Sequence, residues 1–271
     1  MGTLDGLVVF ITGVARGQGR AHAVRLAGEG ANIIGIDICA DIVSMDYPNA
    51  SPADLEETRG LVEATGQRMV ALQADVRNYE ELQAAFDEGF AEFGRVDIVI
   101  ANAGIVRLAS EVDPVTEWAE IIGTNLTGVW NTCRIAIPAM IAAERGGSIV
   151  ITSSTAGLKA TGTMLAGGQA YTAAKHGLVG LMRTFAAELA KHSIRVNTVH
   201  PTGVATGMVM NETMAAVLAD PNAMTASMQN AMPIQILQPE DVADAVAWLV
   251  SDQAKYITGV ALPVDAGFLI R

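Results

Sequence analysis

Short apolar runs alternate along this chain with longer amphipathic ones. LVVFIT (7–12) stays apolar up to its last residue and is of strand length, which predicts a strand buried on both faces. GRAHAVRLAGEG (19–30) follows with helical spacing and closes on Gly30, and ANIIGID (31–37) is the next strand. RMVALQAD (68–75), VDIVIANAG (96–104), GSIVITSS (147–154), IRVNTVHP (194–201) and GVALPVDAG (259–267) predict five more. Helical patterns at 55–65, 79–93, 114–144, 170–191 and 240–250 separate nearly all of them. Such alternation predicts an α/β fold: a doubly wound, mostly parallel seven-stranded sheet with helices on both faces. Ligands of such sheets bind at the carboxyl ends of the strands, so chemistry is sought there.

No linker, charge block or short-period repeat divides the 271 residues, and a single domain is expected over 1–271. The net charge of −12 repels phosphate backbones, which argues against a nucleic-acid partner. The two cysteines, Cys39 and Cys133, show no metal-ligand spacing and read as free reduced thiols. The apolar runs are strand length or broken by Gly and Pro, so no membrane span is expected. MGTLDGLVVFITG has neither a basic n-region nor a small-residue cleavage site, and a cytoplasmic location is expected.

TGVARGQG follows the first strand and supplies Gly13, Gly17 and Gly19. Glycines here permit a tight turn and let the backbone approach a pyrophosphate, which the N–H groups of the following helix would hold. Alone, such a loop is equally well read as turn chemistry; its place between strand and helix points to a dinucleotide. Asp37 ends the second strand, 18 residues beyond Gly19. A carboxylate there accepts both ribose hydroxyls of an adenosine and repels a 2′-phosphate, which favours NAD over NADP. Arg16 pulls the other way, as a cation able to pair with that phosphate. Asp37 is given more weight, because a buried carboxylate beside a phosphate is strongly unfavourable. Asp75 ends the third strand and could accept from an exocyclic amine. Asn102, Ala103 and Gly104 end the fourth, small enough for a flat ring to pass. Thr152, Ser153 and Ser154 end the fifth, and His200-Pro201, followed by TGVAT, end the sixth. One polar strand end would mean little; a whole rim of them reads as a binding crevice.

QAYTAAKHGLVGLM (169–182) puts Tyr171 and Lys175 one turn apart on one face of a helix. A free phenol, with a pKa near ~10, is a poor base at neutral pH. A nearby ammonium is expected to lower it. Tyr171 then serves as general acid–base for a hydroxyl/carbonyl pair while hydride passes to or from a nicotinamide. Ser154 would hydrogen-bond the substrate oxygen, and Lys175 would also grip the nicotinamide ribose. The plain alternative is a surface tyrosine beside a snorkelling lysine; the glycine loop, Asp37 and NAG argue against it.

With these residues in order, the chain resembles the short-chain dehydrogenase/reductase family over essentially its whole length. TGVARGQG, Asp75, NAG, Asn125 in NLTG, Ser154 in SSTAG, Tyr171/Lys175 and PTGVAT carry the resemblance. It implies a Rossmann-type fold and a catalytic set of Asn125, Ser154, Tyr171 and Lys175. Asn125 would sit at a helix irregularity and hold a water that links Lys175 to solvent. The cofactor site would extend to Ile38 beside Asp37, Val76 beside Asp75, and Pro201, Val204 and Thr206. Three features depart from the pattern. Gln18 stands where the family has an aliphatic residue, which suggests an extra polar contact in the pyrophosphate loop. Ser154 and Tyr171 are 17 positions apart, more than usual, and TGTMLAGG contains the extra residues. Thirdly, ICADIVSMDYPNASPADLEET (38–58) is an insert before the next helix. With GQGR, NLTGVWNT and VHPTGV it resembles the carveol-dehydrogenase-like subgroup associated with the peptide-derived redox carrier mycofactocin. That resemblance implies NAD held tightly and reoxidised in place, with an external redox carrier as partner. A decorated surface loop is the other reading of the insert.

Region 205–235 is methionine-rich and is expected to form a substrate lid over an apolar ligand. Met164, Met208 and Met214 are the candidate substrate contacts, with Ser154 and Tyr171. An ordinary helical pair would also explain these methionines. His22, His176, His192 and His200 show no metal spacing and read as structural or exposed. Trp118 and Trp130 read as core or subunit contacts. Helices 114–144 and 170–191 are apolar on more than one face, and the resemblance implies a homotetramer. The expected activity is NAD-dependent oxidation of a secondary alcohol, or reduction of the ketone, on an apolar and terpenoid-like molecule. A 3-oxoacyl-carrier or steroid-type reductase is a second reading; an acidic carrier protein would be repelled by the acidic surface. A non-enzymatic dinucleotide-binding protein is a third, which the intact catalytic set disfavours.

Overall fold

Alternate residues of β1 (Val8–Thr12) feed two different cores. The computed structural model describes residues 2–107, 112–161, 164–219 and 229–271. Val9 and Ile11 pack with Leu26 of α1 (Gly17–Gly28), Val62 of α2 (Pro52–Glu63), and Val242 and Val246 of α8 (Pro239–Val250). Val8 and Phe10 face the other way. They pack with Leu82 and Phe86 of α3 (Tyr79–Phe93), Val129 of α5 (Val129–Ala143), and Leu178 and Met182 of α6 (Ala166–Leu189). Both faces of the sheet are therefore covered, as continuous apolar strands require.

The remaining strands are β2 (Asn32–Asp37), β3 (Met69–Gln73), β4 (Ile98–Ala101), β5 (Gly147–Thr152), β6 (Ile194–Pro201) and β7 (Ala261–Val264). Their order is β3-β2-β1-β4-β5-β6-β7. Every neighbouring pair is parallel, so the sheet is wholly rather than mostly parallel. The winding reverses between β1 and β4, and a crevice opens at their carboxyl ends. Several strands stop short of the sequence expectation at that edge. β3 ends at Gln73 and β4 at Ala101, because the polar and glycine residues that follow leave the ladder to line the crevice.

The stretch 114–144 is not one helix. It is α4 (Pro114–Ile122), a π-helical turn over Gly123–Gly128, and α5. Such a turn inserts a residue into the ladder, which apolar spacing does not reveal. The insert is shorter than its predicted bounds: α2 begins at Pro52, where Ser51 and Asp54 form a reciprocal capping box. In the lid region α7 spans Glu212–Ala219. Residues 220–228, with Met224 and Met228, lie outside the described set. No helix among the described residues is long and apolar enough to cross a membrane.

His22 of α1 is fully buried, and neither ring nitrogen has a hydrogen-bond partner. Burial lowers its pKa to about 4 from the ordinary 6.5. The unfolded chain therefore binds the extra proton first. The penalty is absent above pH 6.5, grows as pH falls below it, and is complete below about 4. His22→Leu is expected to raise stability by about 1–3 kcal/mol through loss of unpaired buried nitrogens. It should also flatten the acid limb of a denaturation series between those pH values. Equal slopes for parent and variant would refute this.

Candidate active site

Helices α2, α3 and α4 each open on a side chain that caps the first turn: Ser51, Asn78 and Asp113. Helix α1 does not. Its N-cap, Arg16, makes no side-chain cap bond and no acid occupies its first turn. This N-terminus faces a cleft lined by Gly13, Gly17, Gln18 and Gly19. Uncapped N–H groups and the positive helix end are the features that suit a helix N-terminus to an anion. The turn leading to it requires glycine at two points. Gly13 has φ +70°, and a Cβ there would stand 2.8 Å from the Ala103 Cα. A Cβ at Gly19 would overlap the Gly13 carbonyl oxygen. Arg20 and Thr58 fix the loop from behind: both donate to the Ala15 carbonyl, at 2.7 and 2.9 Å. Sequence reasoning missed both, although GQGR placed Arg20 next to the loop.

Asp37 closes the other end of the cleft, as expected. Its carboxylate accepts from Ala15 N–H at 2.9 Å and from Cys39 N–H at 3.2 Å. Burial pushes its carboxyl above the usual range, while these N–H groups and the Arg16 charge oppose the shift. Two bonds leave lone pairs for ribose hydroxyls, since a carboxylate offers about four. Arg16 lines the cleft, but its guanidinium donates to the Pro48 carbonyl at 2.6 Å. It is thus engaged with the insert. Asp75 and Val76 also line the cleft, and Asp75 is paired with Arg77 at 2.6 Å. The Asn102 amide reaches the Thr12 and Gly13 carbonyls at 3.2 Å, which ties β4 to the glycine loop. Ala103 and Gly104 complete that wall.

The insert is not surface decoration. Ile38, Ile42, Tyr47, Asn49 and Ala50 line the cleft. Ile42 packs with Ile105, Ile121 and Ala170 in a third apolar cluster, with Ile38 and Tyr171 against it. The Tyr47 hydroxyl accepts from Val106 N–H at 3.3 Å. Ile38, Ile42 and Tyr47 of ICADIVSMDY therefore serve packing over the cleft, a role their irregular spacing does not announce.

Ser154, Tyr171, Lys175 and Asn125 come together beside this cleft. Ser154 caps a short 3₁₀ turn after β5, its hydroxyl accepting from Ala156 N–H at 3.1 Å. The backbone of Ser154 is held by His200, whose Nδ1 lies 2.7 Å from the Ser154 carbonyl oxygen. Thr198 holds the other ring nitrogen at 2.8 Å. His200 is thus structural, as expected, but it supports a catalytic candidate. Lys175 is buried, and its ammonium donates to the Thr152 carbonyl at 2.8 Å. Burial lowers its pKa to about 7.

Here the structure corrects an expectation. Burial raises the Tyr171 phenol above its ordinary value, opposed only by a hydrogen bond from Ser154. The Lys175 ammonium does not lower it. It lies 5.5 Å from the ring centroid, is directed to Thr152, and loses its own charge readily when buried. Asn125 sits in the π-turn, and the irregularity implied by the resemblance is present. Its side chain clamps Ile105, accepting from the N–H at 2.8 Å and donating to the carbonyl at 2.7 Å.

A second, larger and mainly apolar cavity adjoins the first. Ser154, Tyr171, Pro201, Val204, Met208, Met210, Met214 and Met232 line it. Gln18, Thr206 and Met208 border both spaces, which places Gln18 at their junction. The Gln18 Oε1 atom is buried and without a hydrogen-bond partner among the described residues, so the extra polar contact expected of it is not made within the chain. Met164 departs from the substrate assignment. It is 92% exposed in the turn before α6 and does not line the cavity wall.

A family model described as enoyl-(acyl carrier protein) reductase matches residues 13–269. The chain is 45% identical to (-)-trans-carveol dehydrogenase of Rhodococcus erythropolis, covering all of both chains. It is similar to the crystal structure of carveol dehydrogenase from Mycobacterium avium in complex with NAD. That likeness has a TM-score of 0.91, with 45% identity and full coverage of both chains. A short chain dehydrogenase from Mycobacterium paratuberculosis, bound to NAD, gives 0.93 at 43% identity, again over both whole chains.

Proposed function

Since the chain belongs to the short-chain dehydrogenase/reductase family, we propose that it transfers a hydride between NAD and an apolar secondary alcohol or ketone of the terpenoid, carveol-like kind. One juxtaposition supports this most. Ser154 and Tyr171 line a mainly apolar cavity that meets the glycine-loop cleft at Gln18, Thr206 and Met208. Gly13, Gly17 and Gly19 would hold the diphosphate, Asp37 the adenosine ribose, and Lys175 the nicotinamide ribose. When bound, NAD supplies the hydride acceptor for oxidation and its reduced form the donor for reduction. Ser154 donates to the substrate oxygen and orients it. Tyr171 takes the hydroxyl proton on its phenolic oxygen during oxidation, and returns it during reduction. Asp37 sets the preference for NAD over NADP, because Arg16 is engaged by Pro48 and offers no free cation to a 2′-phosphate.

The insert extends this to cofactor retention. A dinucleotide beneath Ile42, Tyr47 and Asn49 leaves only when that segment moves. NAD is then held through many turnovers, and an external redox carrier of the mycofactocin kind collects its electrons. The protein should co-purify with NAD, detected by absorbance and mass spectrometry after denaturation. Free NAD should support little repeated turnover, and an artificial acceptor dye should restore it with an apolar secondary alcohol. A protein that arrives cofactor-free and turns over rapidly with free NAD would overturn retention.

A homotetramer is part of the same proposal. Trp118 and Trp130 are 43% and 40% exposed on α4 and α5, apolar surface left for a neighbouring copy. Light scattering at micromolar concentration should return about four chain masses, and a monomer would refute this. A cytoplasmic location fits the two free, buried thiols, Cys39 and Cys133.

A further inference from the structure

Ser44 lies in the middle of the insert, outside any regular element, yet it is fully buried. Its N–H donates to the Glu120 carboxylate of α4 at 3.1 Å. Its carbonyl accepts from the Arg107 guanidinium, in the segment after β4. Both backbone polar groups of this one buried residue are therefore held by charged side chains of opposite sign. Each holder is tied to a different part of the site. Glu120 stands 3.8 Å from the guanidinium of Arg77, which pairs with Asp75 in the cofactor cleft. Arg107 stands 3.8 Å from Glu117, and both are buried. Glu117 in turn accepts from the N–H of Gly167, in the first turn of the helix that carries Tyr171. A Cβ at Gly167 would overlap the Arg107 carbonyl oxygen, so these segments meet backbone to backbone.

Besides the packing of Ile42 and the buried bond from Val106 N–H to Tyr47, the insert makes further hydrogen bonds that lie in solvent. Its internal bonds, such as Asn49 N–H to Asp41 and the Asn49 amide to the Ala40 carbonyl, are exposed to solvent. The Arg16 bond to Pro48 is exposed too. Hydrogen bonds to charged groups in a buried place are the stronger kind.

We infer that Arg107 and Glu120 are positioning residues that clamp the Ser44 peptide and thereby set how fast the insert opens over the dinucleotide cleft; this rests on the retention proposed above. Neither residue touches the reacting atoms in that role.

The test uses the holoenzyme as purified, with Arg107→Ala, Glu120→Ala and Arg107→Lys. Hydrogen–deuterium exchange across residues 41–49 reports the insert, and bound NADH fluorescence after a chase with excess NAD reports release. Both alanine variants should speed exchange and release by about tenfold or more, the scale of one lost charge-assisted bond. Single-turnover chemistry should change little in both, and Glu120→Ala should keep the parent's melting temperature; Arg107→Ala leaves the buried Glu117 without this cation and should melt earlier, so Glu120→Ala separates the clamp from a general folding defect. Arg107→Lys should recover part of the effect, since an ammonium can still donate to Ser44 but lacks the planar fork. Should Arg107→Ala fail to fold, Glu120→Ala carries the test, because its side chain is 21% exposed at the edge of α4. Unchanged exchange across the insert overturns the clamp. Faster exchange with unchanged release leaves the clamp standing and overturns retention by the insert.

Discussion

Tyr171→Phe is expected to lower turnover by about 10²–10⁴-fold, the contribution of a positioned general acid–base. The ring and its packing against Ile42 and Ala170 are preserved; only the phenolic oxygen is lost. Dinucleotide affinity should stay near that of the parent, because Tyr171 lines the substrate cavity rather than the glycine-loop cleft. The parent's pH dependence follows from the direction of the phenol's shift. Burial raises its pKa, so the phenolate needed for oxidation becomes more abundant as pH climbs. Oxidation should therefore rise toward alkaline pH, while reduction, which needs the phenol, should fall. That alkaline rise should vanish in the variant. Turnover within tenfold of the parent would sink the assignment of Tyr171.

The second large effect belongs to the glycine loop. Gly19→Ala places a methyl group into the Gly13 carbonyl oxygen, so the loop or the start of α1 must shift. Overpacking of this kind costs up to about 3 kcal/mol. If that cost falls on the bound geometry, the dissociation constant for NAD rises roughly 100-fold. Gly28→Ala, in the same helix, has no atom within 4 Å of its added methyl and serves as the control. Calorimetric titration of both variants, after cofactor removal, distinguishes them. Equal affinities would show that the close approach at Gly19 does not shape the dinucleotide site.

Much of the architecture was legible along the chain. β1 and β2 appear in LVVFIT and ANIIGID because strands covered on both faces must be apolar at successive positions. α3 matches its expected bounds at 79–93, with Asn78 capping one end and Gly94 in a left-handed conformation at the other. Tyr171 and Lys175 were recognisable because helical spacing alone puts i and i+4 on one face. Asp37 was recognisable because a strand's carboxyl end is where a doubly wound sheet presents its ligands.

Other features were out of reach, and for a common physical reason. The π-turn at Gly123–Gly128 depends on how α4 and α5 dock, since Asn125 must reach the backbone of Ile105, 20 positions away. Tyr171 looked like a phenol sharpened by a cation; burial against apolar neighbours such as Ile42 and Ala170 reversed the direction. Met164, in the extra residues between Ser154 and Tyr171, was a candidate substrate contact, but in the turn before α6 it is 92% exposed.

By itself, then, the sequence determined what repeats locally: strand and helix periods, the glycine turn, and the i, i+4 pair. Those follow from backbone geometry within a few residues and need no distant partner. Tertiary structure alone decided where the insert lies, which carboxylates are paired, and how strongly each titrating group is shielded from water. Ser44 shows why. Its neighbours in sequence say nothing of Glu120 and Arg107, which reach it from 76 and 63 positions away. Desolvation and long-range ion pairing depend on the sum of what packs around a group, and that sum exists only once the chain has closed upon itself.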